Sequence, residues 1–398
     1  MTKPKQPQYR FDSFEGEWEE KKLGEISRMF SGGTPNVGIP EYYNGNIPFI
    51  RSAEINSDQT ELSITDKGLS NSSAKLVEKN TLLYALYGAT SGEVGLSRIS
   101  GAINQAILAI IPEKKYSSLF IKNWLYKQKS SIIEKYLQGG QGNLSGSIVK
   151  ELTIHFPSLP EQEAIGELFQ TVDQLLQLQD QKLATLKEQK QTFLRKMSPA
   201  QGQKVPEIRL QGFDGEWEEK KLGEISRMFS GGTPNVGIPE YYNGNIPFIR
   251  SAEINSDQTE LSITDKGLSN SSAKLVEKNT LLYALYGATS GEVGLSRISG
   301  AINQAILAII PEKKYSSLFI KNWLYKQKSS IIEKYLQGGQ GNLSGSIVKE
   351  LTIHLPSLSE QEAIGNFFQT LDQQIAQSEE KLTELKALKQ TLLNRLFV

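Results

Sequence analysis

The sequence predicts an α/β protein: two globular mixed α/β domains and two long helices that form an antiparallel coiled coil with approximate two-fold symmetry. Three observations carry this expectation. A 199-residue internal repeat spans half of the 398-residue chain, a heptad seam follows each copy of it, and each copy mixes short β-type runs with helical patterns. Phe14 to Ser158 recurs as Phe213 to Ser357 with two differences, Glu15/Asp214 and Phe156/Leu355. Each copy is large enough to be a domain, so a solenoid of small repeats is excluded.

Within the first copy, β-type runs fall at Ile47–Arg51, Thr81–Tyr87, Glu93–Ile99 and Ala106–Ile111. The dipeptide Asn44-Gly45 reads as a hairpin turn. Phe120 to Leu137 reads as a helix, and Ser145 or Asn143 as the cap of a short helix through Val149. After each copy comes the seam. Ile165, Phe169, Val172, Leu176, Leu183, Leu186, Phe193 and Met197 alternate at spacings of four and three, with Gln179 and Lys190 filling the gaps. Ile364, Phe368, Leu371, Ile375, Leu382, Leu385, Leu392 and Leu396 repeat the register, with Ser378 and Lys389 in the polar slots. Five heptads argue for a coiled coil, in rods of roughly 55 Å. Glu161-Gln162-Glu163 and Glu360-Gln361-Glu362 place carboxylates near the positive end of each helix dipole. The breaker cluster Ser198-Pro199-Ala200-Gln201-Gly202 ends the first helix. The expected domains are 1–159, a helix 160–198, a second domain 199–358 and a helix 359–398.

Composition narrows the function. With no cysteine, disulfides, thiol nucleophiles and zinc ribbons are excluded. No secretory signal pattern is visible and apolar runs such as Ala106–Ile111 are far too short to span a bilayer, so a cytoplasmic protein is expected. The two histidines, His155 and His354, sit one per copy in a Thr-Ile-His strand pattern and read as structural. No zinc-protease, nucleophile-elbow or P-loop motif occurs. Glu17 to Lys22 reads as a solvated strand rather than a carboxylate centre.

A nucleic-acid reader fits better. Net charge is zero, with 44 basic and 44 acidic residues, which weighs against easy phosphate binding. Locally, however, Lys114 to Lys135 holds six lysines and one acid, interleaved with Tyr116, Trp124 and Tyr126. That stretch, Lys127 within it, would position a DNA backbone. Polar loops would supply side chains for base edges: Ser31 and Thr34, Tyr87, Thr90 and Ser91, and Gln138, Gln141 and Asn143, with Arg51 suited to guanine. Their copies are Ser230, Thr233, Tyr286, Thr289, Ser290, Gln337, Gln340, Asn342, Arg250 and Lys326. The bland alternatives are plain loops and a solvated lysine face. A coiled-coil interaction scaffold with no DNA role, and a self-sufficient DNA enzyme, stand as rival readings.

Order and residues together resemble a known family. Each domain carries Gly-Gly-Thr-Pro, then Tyr-Asn-Gly-Asn-Ile-Pro-Phe-Ile-Arg-Ser, then Tyr-Gly-Ala-Thr-Ser-Gly-Glu-Val-Gly. The helices open Leu-Pro-Glu-Gln-Glu-Ala-Ile-Gly and Leu-Ser-Glu-Gln-Glu-Ala-Ile-Gly, and the lead-in Val205-Pro206-Glu207-Ile208-Arg209-Leu210 precedes Gly-Glu-Trp-Glu-Glu-Lys-Lys-Leu-Gly-Glu-Ile. This resembles the specificity (S) subunit of type I restriction–modification systems across essentially the whole chain. The resemblance implies two target-recognition domains on double-stranded DNA, and helices that space them and dock methyltransferase subunits, two of them. It places adenine methylation with S-adenosylmethionine, and ATP- and magnesium-dependent cleavage, in partner methyltransferase and restriction subunits. No cofactor and no metal are expected on this chain. The departure from the family pattern is the near-identity of the two domains, which predicts an interrupted palindromic target. A half-chain of residues 1–198 is expected to dimerise through its helix and keep the specificity.

Overall fold

The protein is represented by a computed structural model that describes residues 6–137, 143–335 and 342–398. In the first copy the elements are β1 (Glu19–Lys22), α1 (Leu23–Ile26), β2 (Ser27–Ser31), β3 (Tyr43–Ile50), β4 (Leu62–Ile64), α2 (Asp66–Ser70), β5 (Lys75–Val77), β6 (Leu82–Ala85) and β7 (Val94–Leu96). Then follow β8 (Gly101–Ile103), β9 (Ile107–Pro112), α3 (Ser118–Leu137), α4 (Gly146–Lys150), β10 (Thr153–Phe156) and the long α5 (Leu159–Lys196). The second copy repeats them as β11 (Glu218–Lys221), α6 (Leu222–Ile225), β12 (Ser226–Ser230), β13 (Tyr242–Ile249), β14 (Leu261–Ile263), α7 (Asp265–Ser269), β15 (Lys274–Val276) and β16 (Leu281–Ala284). It closes with β17 (Val293–Leu295), β18 (Gly300–Ile302), β19 (Ile306–Pro311), α8 (Ser317–Tyr335), α9 (Gly345–Lys349), β20 (Thr352–Leu355) and the long α10 (Leu358–Leu396).

Two four-stranded sheets build each domain, in the orders β2-β9-β6-β7 and β4-β3-β8-β5 in the first, while β1 pairs with β10 apart. All pairs are antiparallel except β3 with β8 and, in the second copy, β13 with β18. Strands β6 and β9 are apolar on both faces because both faces are covered. Leu82, Tyr84, Leu108 and Ile110 pack toward α3 and α5. Leu83, Ala85, Ile107 and Ala109 alternate onto the other sheet, against Ile50, Val77 and Ile103.

Two local readings need correction. Asn44-Gly45 does not turn a hairpin but makes a bulge inside β3, where the register with β4 slips between Tyr43 and Ile47. Asn44 takes the left-handed conformation (φ 60°), and a Cβ on Gly45 would lie 2.4 Å from the Ile64 carbonyl oxygen. The dipeptide's conformational preference is used, but the chain continues in the same strand. The strand read from Glu93 to Ile99 is also shorter, because Ser97 and Ser100 hydrogen bond the neighbouring turns instead of a ladder. The Ser145 hydroxyl does cap α4, accepting from the Ile148 N–H at 3.3 Å.

The chain divides into two compact units, Met1–Asp180 with Glu380–Val398, and Gln181–Glu379. Each unit therefore holds one domain, the first half of its own long helix and the last half of the other. Within the first unit Phe169 stacks on Phe397 and Asp173 pairs with Lys389, so partner numbers fall as position numbers rise. Within the second, Lys187 pairs with Glu379 and Lys190 with Asp372. In both units the helix segments run antiparallel. Of the expected seam, Ile165, Phe169, Val172, Ile364, Phe368, Leu371 and Leu382 are buried, and Leu176, Leu183, Leu186, Ile375 and Leu385 are half-buried between exposed neighbours.

Burial of Asp173 would raise its pKa, but the Lys122 and Lys389 ammoniums outweigh that and hold it below the usual carboxylate range. Asp372 is held low in the same way by Lys190 and Lys321.

The start of each long helix is clamped to its domain. Glu161 is fully buried and accepts from Arg10 at Nε (2.8 Å) and Nη2 (2.7 Å), while Arg10 also donates to the Glu15 and Gly16 carbonyls. Gln162 accepts from the Ser117 N–H and donates to the Pro157 carbonyl, both at 2.9 Å. Arg209, Glu360 and Gln361 repeat the device. The Glu-Gln pair is thus a buried clasp, more than a complement to the helix dipole.

Candidate nucleic-acid interface

Sheet register decides which loops meet. β2 ends at Ser31 opposite Leu108, β6 ends at Ala85 opposite Ile107, and β3 ends at Ile50 beside Ile103. The segments leaving these strands therefore emerge at one end of the domain. Gly32 and Gly33 donate to the carbonyls of Asn104 and Ile103, and a Cβ on Gly32 would fall 1.8 Å from the Ile103 oxygen. Only glycine allows this approach, which explains the pair in Ser31-Gly32-Gly33-Thr34-Pro35. The approach brings the Thr34 hydroxyl to Gln105 Oε1, to which it donates at 2.6 Å.

Tyr87, Thr90 and Ser91 lie on the loop that follows β6 at this same end. The Ser91 hydroxyl donates to the Gly88 carbonyl at 2.9 Å, closing the loop's own turn, and Glu93 pairs with Lys129 of α3. Burial raises the pKa of the half-buried Tyr87 hydroxyl. The Leu144 N–H donates to the Leu86 carbonyl at 3.0 Å, so exposed Asn143 stands beside Tyr87. The second copy places Ser230, Thr233, Tyr286, Thr289, Ser290 and Asn342 alike, with Thr233 donating to Gln304 at 2.5 Å. Gln138, Gln141, Gln337 and Gln340 lie outside the described residues.

Two nominated cations have other occupations. Arg51 sits at this end, but its guanidinium is held by Glu54 (Nη2 to Oε1, 3.0 Å; Nε to Oε2, 3.2 Å) and by Glu61. Those carboxylates raise its pKa and use the fork that a guanine would need. Arg250 is held identically by Glu253 and Glu260. Lys127 is half-buried and donates to the Phe397 carbonyl at 3.0 Å, at the end of α10, where a cation suits the helix dipole. The lysine-rich stretch is equally committed elsewhere: Lys122 pairs with Asp173 and Lys129 with Glu93. Half of its six lysines hold the fold rather than face solvent.

Sequence reasoning missed Gln105 and Gln304. The signal was present as Asn104-Gln105, a polar dipeptide interrupting the apolar run from Ala102 to Ile111. With Oε1 already accepting from Thr34, the exposed Gln105 amide keeps its N–H donors and a lone pair for an outside partner. The end of each domain is thus a rim rich in neutral hydrogen-bonding groups, on which Arg51 is paired with Glu54 and Glu61, and Lys129 with Glu93. Among the described residues no His/Asp/Glu cluster could hold a metal ion, and no helix is long and apolar enough to cross a membrane.

Comparison with known proteins agrees with this organisation. The model of the type I restriction modification DNA specificity domain matches residues 15–188 and again 214–387. A MjaIX type I restriction enzyme specificity subunit from Methanocaldococcus jannaschii is 23% identical, over 96% of this chain and 92% of its own. The EcoR124I/EcoR124II specificity subunit of Escherichia coli is 28% identical over 40% of this chain and 42% of its own. The crystal structure of a type I S subunit from M. genitalium shares the fold at a TM-score of 0.66, with 19% identity and 99% of both chains covered. The chain belongs to the type I restriction–modification DNA specificity family. Within it, this is a specificity subunit with two tandem target-recognition domains, and the two are nearly one sequence.

Proposed function

We propose that each domain reads one half of a bipartite double-stranded DNA target through the rim formed by Ser31, Thr34, Gln105, Tyr87, Thr90, Ser91 and Asn143, and by their copies. One observation carries this: the register gathers the polar loops of each domain at one end, where the Arg51 guanidinium and the Lys129 ammonium are taken up by Glu54, Glu61 and Glu93. Such a rim suits base edges, where neutral donors and acceptors discriminate, better than it suits phosphates. The amide of Gln105 is of the type that pairs with adenine.

Because the readers are the same sequence, the two half-sites are the same and the target is an interrupted palindrome. The antiparallel helix segments support the reading of the rod as a spacer that also docks two methyltransferase subunits. On this reading methylation of adenine with S-adenosylmethionine, and ATP-dependent cleavage, belong to methyltransferase and restriction partners. The chain itself supplies no chemistry and works where the DNA lies, in the cytoplasm. A gel shift of duplex DNA, with the chain alone and with its methyltransferase partner, tests the proposal. The shift is expected to be strongest in the complex. A chain that shifts no duplex in either state overturns it in favour of a scaffold.

A further inference from the structure

The same lysine has a partner in one unit and none in the other. Lys127 gives its ammonium to the Phe397 carbonyl. Its copy, Lys326, is also half-buried, yet position 198 holds Ser where 397 holds Phe, and Lys326 has no hydrogen-bond or ion-pair partner among the described residues. Around it the second unit leaves an open cleft of about 830 Å³ between the end of α5, the face of α8 and the loop before β17. Arg195, Lys326, Lys328, Thr192 and Ser329 line it, with Glu188 and Glu292. Lys328 and Glu292 pair with each other. Arg195, like Lys326, has no ion pair there, so two cations remain against the single carboxylate of Glu188.

A half-buried ammonium without a partner loses hydration and gains nothing in return, so an anion entering the cleft is favoured. The cleft's geometry names the anion. Glu292 stands two residues past Ser290 and three past Thr289, so the cleft opens beside the loop that carries two rim residues. We infer that this cleft takes a backbone phosphate of the DNA read by the second domain, held by Lys326 and Arg195. The first unit is built otherwise: Asn394 stands where Arg195 does, Ala387 where Glu188 does, and Lys127 is already occupied. The phosphate grip is therefore one-sided although the readers are nearly identical.

This inference rests on the DNA-reading proposal, and one experiment separates the two. Binding of the complex of full chain and methyltransferase partner to its own duplex is followed by anisotropy across a salt series. Arg195→Asn, which installs the residue of position 394, and Lys326→Met are each expected to weaken binding roughly 3- to 10-fold and to lower the salt slope by about one. Asn394→Ala, at the matching site of the first unit, is expected to leave slope and affinity unchanged. Normal unfolding curves for both cleft variants with unaltered affinity and slope overturn the phosphate site alone. A parent complex that binds no duplex overturns the reading on which it rests.

Discussion

The two compact units carry the same domain, but they close it with different helix ends. In the first, Phe397 is buried between Phe120 and Phe169, with ring centroids at 4.9 and 5.8 Å. In the second, Ser198 holds that position and the chain leaves through a linker, with Phe193 meeting Phe367 edge-on at 5.2 Å instead. The effect reaches the domain, since Trp124 is buried whereas its copy Trp323 is only half-buried. Nearly identical domain sequences thus sit in unlike settings. Most of the difference originates in the helices, where the copies have diverged, and one core position inside the domains adds to it, since Phe156 packs on Phe120 where the second copy has Leu355. What has been kept the same is the rim.

The largest expected break in the comparison is Phe397→Ala, which empties the wedge between two rings and should cost the first unit about 4 kcal/mol in denaturant unfolding. Ser198→Ala in the second unit should change stability by less than about 0.5 kcal/mol. Equal effects would show that the two closures are not different. The half-chains sharpen the point: a dimer of residues 199–398, closed twice by Phe397, should unfold at higher denaturant than a dimer of 1–198, closed twice by Ser198.

Next in size, the clasps should behave alike. Arg10→Ala and Arg209→Ala each strand a buried carboxylate, Glu161 or Glu360, and each should cost about 3 kcal/mol. A clearly unequal pair of unfolding shifts would mean that the helix starts are not equivalent.

Smaller effects are expected at the rim. Gln105→Ala together with Gln304→Ala should lower discrimination against a changed half-site base pair by about 1–3 kcal/mol in competition binding, with folding unchanged. If only one of the two substitutions relaxes specificity, and at one half-site only, the readers are not used symmetrically.

Smallest is a pH effect on helix pairing. Asp173 and Asp372 have folded pKa values held down by their lysines, so the stability they contribute is fully present above the ordinary carboxylate pKa and is lost as pH falls through the depressed value. Asp173→Asn with Asp372→Asn should flatten the loss of stability below about pH 4. Unfolding midpoints measured from neutral to acid pH would check this, and a variant with the parent's acid profile would contradict it.

Much of the architecture was legible because it is periodic. The seam from Ile165 to Met197 and the both-faces-apolar β9 declare themselves by spacing alone. The Asn44-Gly45 bulge was misread because a left-handed asparagine is as useful inside a strand as at a turn, and only the opposing Ile64 backbone decides which. The rim was half legible. Ser31 and Thr34 drew notice through glycines, but Gln105 becomes visible only when Gly32 is seen against Ile103. Charge misled most. Arg51 and Lys127 look free in a list of residues, and their partners Glu54, Glu61 and the Phe397 carbonyl are brought to them by folding, the last from 270 positions away.

The central claim is that two copies of one reader imply two copies of one half-site. Modified adenines mapped across a genome exposed to this subunit and its methyltransferase partner test it most directly. The account predicts a single motif, in which a short half-site, a non-specific gap and the reverse complement of that half-site follow in order. A reproducible bipartite motif whose two halves are unrelated would contradict it.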